Sequence, residues 1–288
     1  MTDKMKVFVY GTLRKHEDNH IYIEGSKCIA EQGWVYGELY DTGLGYPVVK
    51  PSLESKTYGE IFEITAEQLK DVDQLEGFVE GDEDNLYERV IQTVHTDEGT
   101  IEAYIYISEK MDILGEPILD GDWKLYRFLK EQPERFFYFA YGSCMDTERF
   151  EIAGVGHLFA KVKGSGILDG YSMKYLFARP DGGRADIVED GGVTEGIVYD
   201  VPFEAAEYLF KREGFRGGWY RPAFVDIKVG ETVLTNVLTF HVYNKKEELA
   251  PPAHYVIEIL RGSKGRLSTE YYQKLESELH RLGLPKTM

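Results

Sequence analysis

Glu76 and Glu213 are the residues of this chain best suited to moving a proton. Each is followed by Gly and Phe, as Glu76-Gly77-Phe78 and Glu213-Gly214-Phe215. Each also ends a stretch with helical periodicity. Glu213 falls at i+3 from Phe210, i+4 from Leu209 and i+7 from Ala206, and Glu76 at i+4 from Val72 and i+7 from Leu69. Both carboxylates are therefore expected on the buried stripe of their own helix, close to its C-terminus. Burial disfavours the charged form, and the negative end of the helix dipole acts in the same direction. A pKa raised from about 4.3 toward about 6–7 suits proton transfer near neutrality. The plain reading is a Glu that ends a helix in solvent, and its recurrence on the apolar face at matched places argues against that.

Upstream of each glutamate stands a second element that could do chemistry. Tyr10-Gly11-Thr12-Leu13 follows the apolar run Val7-Phe8-Val9, and Tyr141-Gly142-Ser143-Cys144-Met145 follows Phe137-Tyr138-Phe139-Ala140. Consecutive backbone N–H groups in such a turn can form an anion-binding nest, although a glycine after a strand is usually only a turn. Downstream come Tyr87 with Arg89, and Tyr220 with Arg221, as strand residues that either pack over the site or serve the strand alone. The Tyr-Gly elements lie 141 − 10 = 131 residues apart and the Glu-Gly elements 213 − 76 = 137. That period is too long for a solenoid repeat and indicates a duplicated domain.

The elements that must position these residues follow from pattern. Residues 5–10, 34–40 and 58–64 read as strands, the last two split by Gly-Pro-Ser segments. Thr65-Ala66-Glu67-Gln68 is a capping box, opening a helix with Leu69, Val72 and Leu75 inward and Gly77 at its C′ position. Strands follow at 88–95 and 101–107, then a helix at 123–131 that Pro133 ends. The second half repeats this order. A strand runs to Tyr141, with further strands near 167–177 and 195–200, and Pro202 is expected in the first turn of a helix whose inward residues are Ala206, Leu209 and Phe210. Strands at 223–229 and 237–243 precede a last helix from about Ser268, with Tyr272, Leu275, Leu279 and Leu282 on one side. Glycine pairs at 182–183, 191–192 and 217–218 read as turns, or as loops able to close over a site. The fold class is α+β, with domains expected at 1–132 and 133–288.

Composition narrows the chemistry. The chain has 288 residues, 43% apolar and 14% aromatic, enough for two ordinary cores. Its net charge of −17 argues against nucleic acid, whose phosphates need Lys and Arg, and against an anionic membrane surface. The acidic run Glu80-Gly81-Asp82-Glu83-Asp84 reads as a solvated loop. Cys28 and Cys144, one in each half, show no paired spacing and suit a reducing cytosol. With no secretory h-region and no apolar run near 18 residues, a soluble cytoplasmic protein is expected.

Two other chemistries compete. His16-Glu17-Asp18-Asn19-His20 matches the H-E-x-x-H pattern, which binds zinc only from one helix face. Here its interior is polar, it follows a predicted turn, and the second half lacks a counterpart, so no metal is expected. Cys144 could be a nucleophile if His157, His241 or His254 stood within hydrogen-bond reach; the first half has Leu13 at that position.

At these residues the chain resembles the gamma-glutamylcyclotransferase-like superfamily, in two tandem copies covering nearly all of it. The first copy is similar to the AIG2-like branch through Tyr10-Gly11-Thr12-Leu13-Arg14, Gly45-Tyr46-Pro47, Gly59-Glu60, Leu75-Glu76-Gly77 and Gly121-Asp122-Trp123. The second is similar to gamma-glutamylcyclotransferase itself. Phe139-Ala140-Tyr141-Gly142-Ser143, Ala185-Asp186-Ile187, Gly196-Ile197-Val198-Tyr199 and Arg212-Glu213-Gly214 carry that likeness, with Ala250-Pro251-Pro252-Ala253-His254-Tyr255 and Glu270-Tyr271-Tyr272-Gln273-Lys274-Leu275 in the tail. The resemblance implies two small mixed β-barrels with flanking helices, each with a cavity for a small-molecule γ-glutamyl substrate. It implies Glu76 and Glu213 as general acid/base, and the backbones of residues 10–13 and 141–145 as the γ-glutamyl-binding turns, with Tyr255 touching substrate in the second copy. It implies release of 5-oxoproline and a free amine without cofactor. Cys144 stands where the cyclotransferases carry Asn after Tyr-Gly-Ser, a departure that bears on the second site. A γ-glutamyl-binding sensor with little turnover is the alternative, and the oligomeric state is left open.

Overall fold

In the computed structural model, residues 4–283 are described, and the chain divides into two compact units, one ending at Glu131 and the other beginning at Gln132. In β1 (Lys4–Val9) and β5 (Lys56–Thr65), which pair antiparallel from Lys4↔Thr65 to Val9↔Glu60, Val7, Phe8, Ile61 and Ile64 are buried. With β2 (Lys27–Tyr36), β6 (Glu88–Thr96) and β7 (Gly99–Ile107) they close a five-stranded barrel in the order β1-β5-β2-β6-β7. One parallel pairing, Val7↔Tyr104, completes it, so the barrel is mixed. A small sheet of β3 (Glu38–Asp41), β4 (Pro47–Lys50) and β8 (Glu116–Pro117) stands beside it. The strand expected over 34–40 is thus two strands broken at Gly37, where a Cβ would lie 2.6 Å from Val49 Cγ1.

Helix α1 (Ala66–Glu76) begins at the expected capping box: Gln68 N donates to Thr65 Oγ1 at 3.2 Å, and Thr65 N donates to Gln68 Oε1 at 3.0 Å. It ends at Gly77 in the left-handed region, φ 66°, which a side chain would resist. Helix α2 (Trp123–Glu131) closes the unit, with Trp123, Leu125 and Phe128 buried.

The second unit repeats this topology. Its barrel comprises β9 (Arg135–Ala140), β10 (Val162–Arg179), β11 (Gly182–Pro202), β12 (Tyr220–Val229) and β13 (Thr232–Val242). The cyclic order β9-β11-β10-β12-β13 matches the first barrel, again with one parallel pairing, Leu238↔Tyr138. Among the described residues, four helices flank it: α3 (Glu148–Ile152), α4 (Ala205–Arg212), α5 (Ala253–Ser263) and α6 (Thr269–Arg281).

Several expectations are corrected here. Pro202 is the last residue of β11, and the helix starts at Ala205. Gly182, Gly183 and Gly192 pair with Arg179, Ala178 and Gly170 in the long β10–β11 hairpin, and Gly191 stands at a register shift within it, so neither glycine pair is a loop. In α6, Tyr271 is buried with Leu275 and Leu279, an addition to the expected face, and the expected Tyr272 and Leu282 pack against the same core partly buried. Helix α5 was not expected at all. Among the described residues no helix is long and apolar enough to cross a membrane.

Candidate active site

The end of β1 delivers the first glycine turn to a cavity of about 160 Å³. Tyr10, Gly11, Thr12, Leu13 and Glu76 all line it, joined by Tyr46, Pro47, Leu75, Tyr87 and Tyr106. The turn is fixed from several directions. Arg14 N donates to Gly11 O at 3.0 Å, and Asn19 N and Nδ2 donate to Thr12 O and Oγ1 at 3.0 and 2.9 Å. A Cβ on Gly11 would sit 2.6 Å from Pro47 Cγ, so only glycine lets the turn lie against that wall. Tyr10 donates its hydroxyl to Tyr106 O at 2.7 Å, and Tyr87 donates to Pro47 O at 3.2 Å.

Glu76, the last residue of α1, is half-buried, and its carboxylate has no hydrogen-bond or ion-pair partner among the described residues. Burial alone pushes it up to about 7. Burial holds the Tyr10 and Tyr87 hydroxyls well above the usual phenol range, with Tyr87 and then the Glu76 charge adding to it at Tyr10 and the Glu76 charge adding to it at Tyr87. Glu76 and both tyrosines line the same cavity.

The second unit builds the same geometry with different fastenings. Tyr141, Gly142, Ser143, Cys144, Glu213 and Tyr255 line an inner cavity of only about 30 Å³, with Tyr138, Tyr220, Ala185 and Phe240. Tyr141 donates to Phe240 O at 2.6 Å and Tyr220 to Ala185 O at 2.7 Å, as Tyr10 and Tyr87 do in the first unit. Tyr255, carried by α5, accepts from Ala185 N at 3.2 Å, and a Cβ on Gly142 would meet its hydroxyl at 3.1 Å. Met145 does not line the cavity. It is fully buried behind the turn, and its carbonyl accepts from Arg266.

Glu213 caps the C-terminus of α4, and burial raises its pKa, with Arg212 and Cys144 acting the other way. Arg212 lies over the turn, donating from Nε to Cys144 Sγ at 3.0 Å and from Nη2 to Ser143 Oγ at 3.0 Å. Its approach to Glu213 Oε1 is 4.0 Å, while Cys144 Sγ reaches that oxygen at 3.5 Å. An outer cavity of about 260 Å³ opens from this point and shares Ser143, Glu213, Tyr220 and Tyr255 with the inner one.

The rival chemistries lack their geometry. Residues 11–19 are a series of turns and His20 begins a short 3₁₀ turn, so His16 and His20 share no α-helical face. His20 instead bonds Leu13 O at 3.0 Å through Nδ1, and Asn19 secures Thr12, so this segment buttresses the glycine turn. No histidine hydrogen-bonds to Cys144 among the described residues; its neighbours are Arg212 and Glu213. His157 and His254 are exposed, and His241 is buried against Tyr171 with its pKa held far down by burial. Burial also pushes the Cys144 thiol up, away from the thiolate a nucleophile needs.

Sequence reasoning missed most of the cavity walls. Tyr46 and Pro47 were visible only as the short motif Gly45-Tyr46-Pro47, whereas Tyr87 and Tyr220, expected either to pack over the site or to serve the strand alone, both line their cavities. Arg89 of the first pair bonds Asp73 instead of facing the cavity. Arg212 passed as part of a motif, and nothing in its spacing told that it would lie over Cys144.

Comparison with known proteins agrees with this geometry. Residues 7–125 match the family described as gamma-glutamyl cyclotransferase, AIG2-like, and residues 194–275 match the AIG2-like family. A Bacillus subtilis protein provisionally named gamma-glutamylcyclotransferase YkqA is 43% identical over 97% of this chain and 98% of its own length. The crystal structure of YkqA covers 99% of this chain and 100% of that chain with a TM-score of 0.89 at 41% identity. A Niallia circulans enzyme named gamma-L-glutamyl-butirosin B gamma-glutamyl cyclotransferase is 38% identical over 42% of this chain and 76% of its own length. The gamma-glutamylcyclotransferase of Bos taurus is 30% identical over 50% of this chain and 79% of its own length. With two barrels of one topology, each with a glycine turn and a glutamate on one cavity, this chain belongs to the AIG2-like gamma-glutamylcyclotransferase family as a tandem member.

Proposed function

We propose that the chain cyclises γ-glutamyl compounds by intramolecular aminolysis, with Glu76 as the acid/base of the first unit and Glu213 that of the second. The observation that carries this reading is the first cavity: a half-buried glutamate with a pKa of about 7 faces a Tyr-Gly turn, with no partner to hold it charged. The α-amine of the γ-glutamyl group attacks its own γ-carbonyl carbon. A new C–N bond closes the five-membered ring and the old amide C–N bond breaks. The glutamate takes the proton lost by the attacking nitrogen and delivers it to the leaving nitrogen, so 5-oxoproline and a free amine result without water as a reactant.

The turn fits the other half of this chemistry. Backbone N–H groups of residues 10–13 would hold the γ-glutamyl portion curled, and one aimed at the developing oxyanion is worth about 2.7–4 kcal/mol. Holding amine and carbonyl in a near-attack arrangement is worth about 7–11 kcal/mol in well-oriented systems. The pocket walls that would enforce this are Tyr10 and Tyr87, each locked by a hydrogen bond to backbone.

A second reading, binding with little turnover, attaches to the second unit. Its inner cavity of about 30 Å³ has room for only about two waters, and two of its lining residues, Ser143 and Cys144, are tied to Arg212. The test is 5-oxoproline release from a panel of γ-glutamyl amines and amino acids by wild type, Glu76→Gln, Glu213→Gln and the double variant. The proposal expects each single variant to keep only the other site's substrates and the double variant to lose activity by at least about a hundredfold. Undiminished release by the double variant would remove both glutamates from the mechanism. Loss with Glu76→Gln alone would leave the second unit as a binding site.

A further inference from the structure

Resting on that assignment of the second site, we infer that the outer cavity beside Glu213 selects γ-glutamyl compounds whose leaving group carries a carboxylate, with Arg212 as the residue that reads it. The two cavities differ sharply in charge. The first is lined by no Lys, Arg or His, and its one charged side chain is Glu76. The outer cavity of the second is lined by four arginines against Glu213 and Glu258, a formal 4 − 2 = +2, on a chain whose net charge is −17.

Two of those arginines are already spoken for: Arg149 pairs with Glu258 at 3.0 Å and Arg184 with Asp181 at 2.8 Å. Arg179 has no carboxylate partner among the described residues. It stacks over Trp219, its guanidinium carbon 4.5 Å from the ring. Arg212 hydrogen-bonds to Cys144 Sγ, Ser143 Oγ and the Tyr208 hydroxyl, three of its five N–H donors, and its nearest carboxylate oxygen is 4.0 Å away. Two donors remain on a side chain that lines the outer cavity beside Glu213. A guanidinium in that position matches a carboxylate in charge and in planar geometry.

Position sharpens the assignment. Arg212 immediately precedes Glu213, and the residue that immediately precedes Glu76 is Leu75. Both line their cavities, so one sequence position presents an apolar wall in the first unit and a cation in the second. With the γ-glutamyl group on the turn and its carbonyl at Glu213, the leaving nitrogen points outward. Its substituents then lie between Arg212, Arg179 and the aromatic pair Phe177 and Trp219, whose rings are 5.8 Å apart. An α-amino acid with an apolar side chain supplies both the carboxylate and the surface such a wall would cover.

The experiment uses three matched compounds: γ-glutamyl-leucine, γ-glutamyl-leucinamide and the γ-glutamyl amide of isopentylamine, which lacks the carboxylate altogether. In the full chain carrying Glu76→Gln, the leucine compound is expected to exceed both others in kcat/KM by at least about tenfold, the scale of one charge-assisted hydrogen bond. In the chain carrying Glu213→Gln no such preference is expected. Adding Arg212→Leu to Glu76→Gln should bring the ratio close to one, Arg212→Lys should keep part of it, and Arg179→Gln should lower it by a smaller factor. The ratio is the readout because any effect of Arg212 on Glu213 itself acts on all three compounds alike. A ratio near one with Arg212 in place, or a ratio that Arg212→Leu leaves unchanged, overturns the inference. If no chain releases 5-oxoproline, the acid/base assignment fails. The same three compounds titrated calorimetrically into the double Glu→Gln chain, with and without Arg212→Leu, then decide the charge selection separately.

Discussion

Glu76 and Glu213 occupy matching places yet are tuned differently, and that difference is measurable. Burial alone acts on Glu76 and takes it to about 7. On Glu213 the nearby Arg212 cation and the Cys144 thiol oppose burial. If each acts first as a base, kcat/KM for the first site, isolated with Glu213→Gln, should rise with pH through a midpoint near 7. At the second site, isolated with Glu76→Gln, replacing Arg212 by Leu removes a positive neighbour and should move its midpoint to higher pH. A downward movement would show that Arg212 does not act on Glu213 through its charge. Cys144 gives a simpler test. Its thiol is buried, protonated and without a histidine, so Cys144→Ala should retain second-site turnover within about tenfold; a loss of several orders of magnitude would restore the nucleophile.

At the scale of elements, the two glycine turns are the same shape held by different means. In the first unit Arg14, the residue after the turn, donates to Glu60 on β5 and to Asp122 just before α2, both at 2.9 Å, and Lys124 approaches Glu60 at 3.4 Å. All four side chains are buried. Removing one partner from such a cluster strands the others, at about 3–5 kcal/mol. Arg14→Met should therefore lower the stability of the first unit by that order in denaturant unfolding and abolish its site. An effect below about 1 kcal/mol would mean the network is incidental. In the second unit the turn leans on α5, where a Cβ on Gly262 would lie 2.6 Å from both Met145 C and Asp146 N, and Arg261 Nε holds Asp146 at 3.0 Å. Gly262→Val should displace that turn and remove the second activity while the first persists. This helix is also where the sequence was least legible. Strand alternation, the Thr65 capping box and the glutamate register could be read because they are local and periodic. Pro251-Pro252 before Tyr255, Val256, Ile259 and Leu260 was a usable helix-start signal, but Tyr255 was placed near substrate through the family resemblance alone, with no helix to carry it. Arg14 and Arg212 could not be placed, since their partners lie far away in sequence and depend on barrel closure.

For the whole molecule, duplication means that two costly carboxylates are buried in one acidic chain, and their cost should appear as a pH dependence of stability. The folded-state pKa of Glu76, about 7, lies above its unfolded value of about 4.5. A carboxyl raised in this way favours folding in its protonated form. Its contribution is fully present below about pH 4.5 and is lost as pH rises through about 7. That difference in pKa corresponds to about 3–4 kcal/mol at most, and the half-exposed setting of the side chain brings the expected figure to about 1–3 kcal/mol. Glutamine keeps the shape without the charge. The Glu76→Gln chain should therefore gain that amount over wild type between pH 4 and pH 8, as read from the unfolding transition of the first unit in urea. Net repulsion among the other acidic groups grows over the same range, but it is nearly common to both chains and cancels in the difference. A constant difference across this range would mean that Glu76 is solvated like any surface carboxylate, and the base of the first site would then have to be sought elsewhere on its cavity wall. The opposite slope would mean that an unrecognised cation stabilises its charged form. Either result would separate the catalytic claim from the fold, because the barrel topology and the tandem family relationship stand on strands and turns that Glu76 does not hold together.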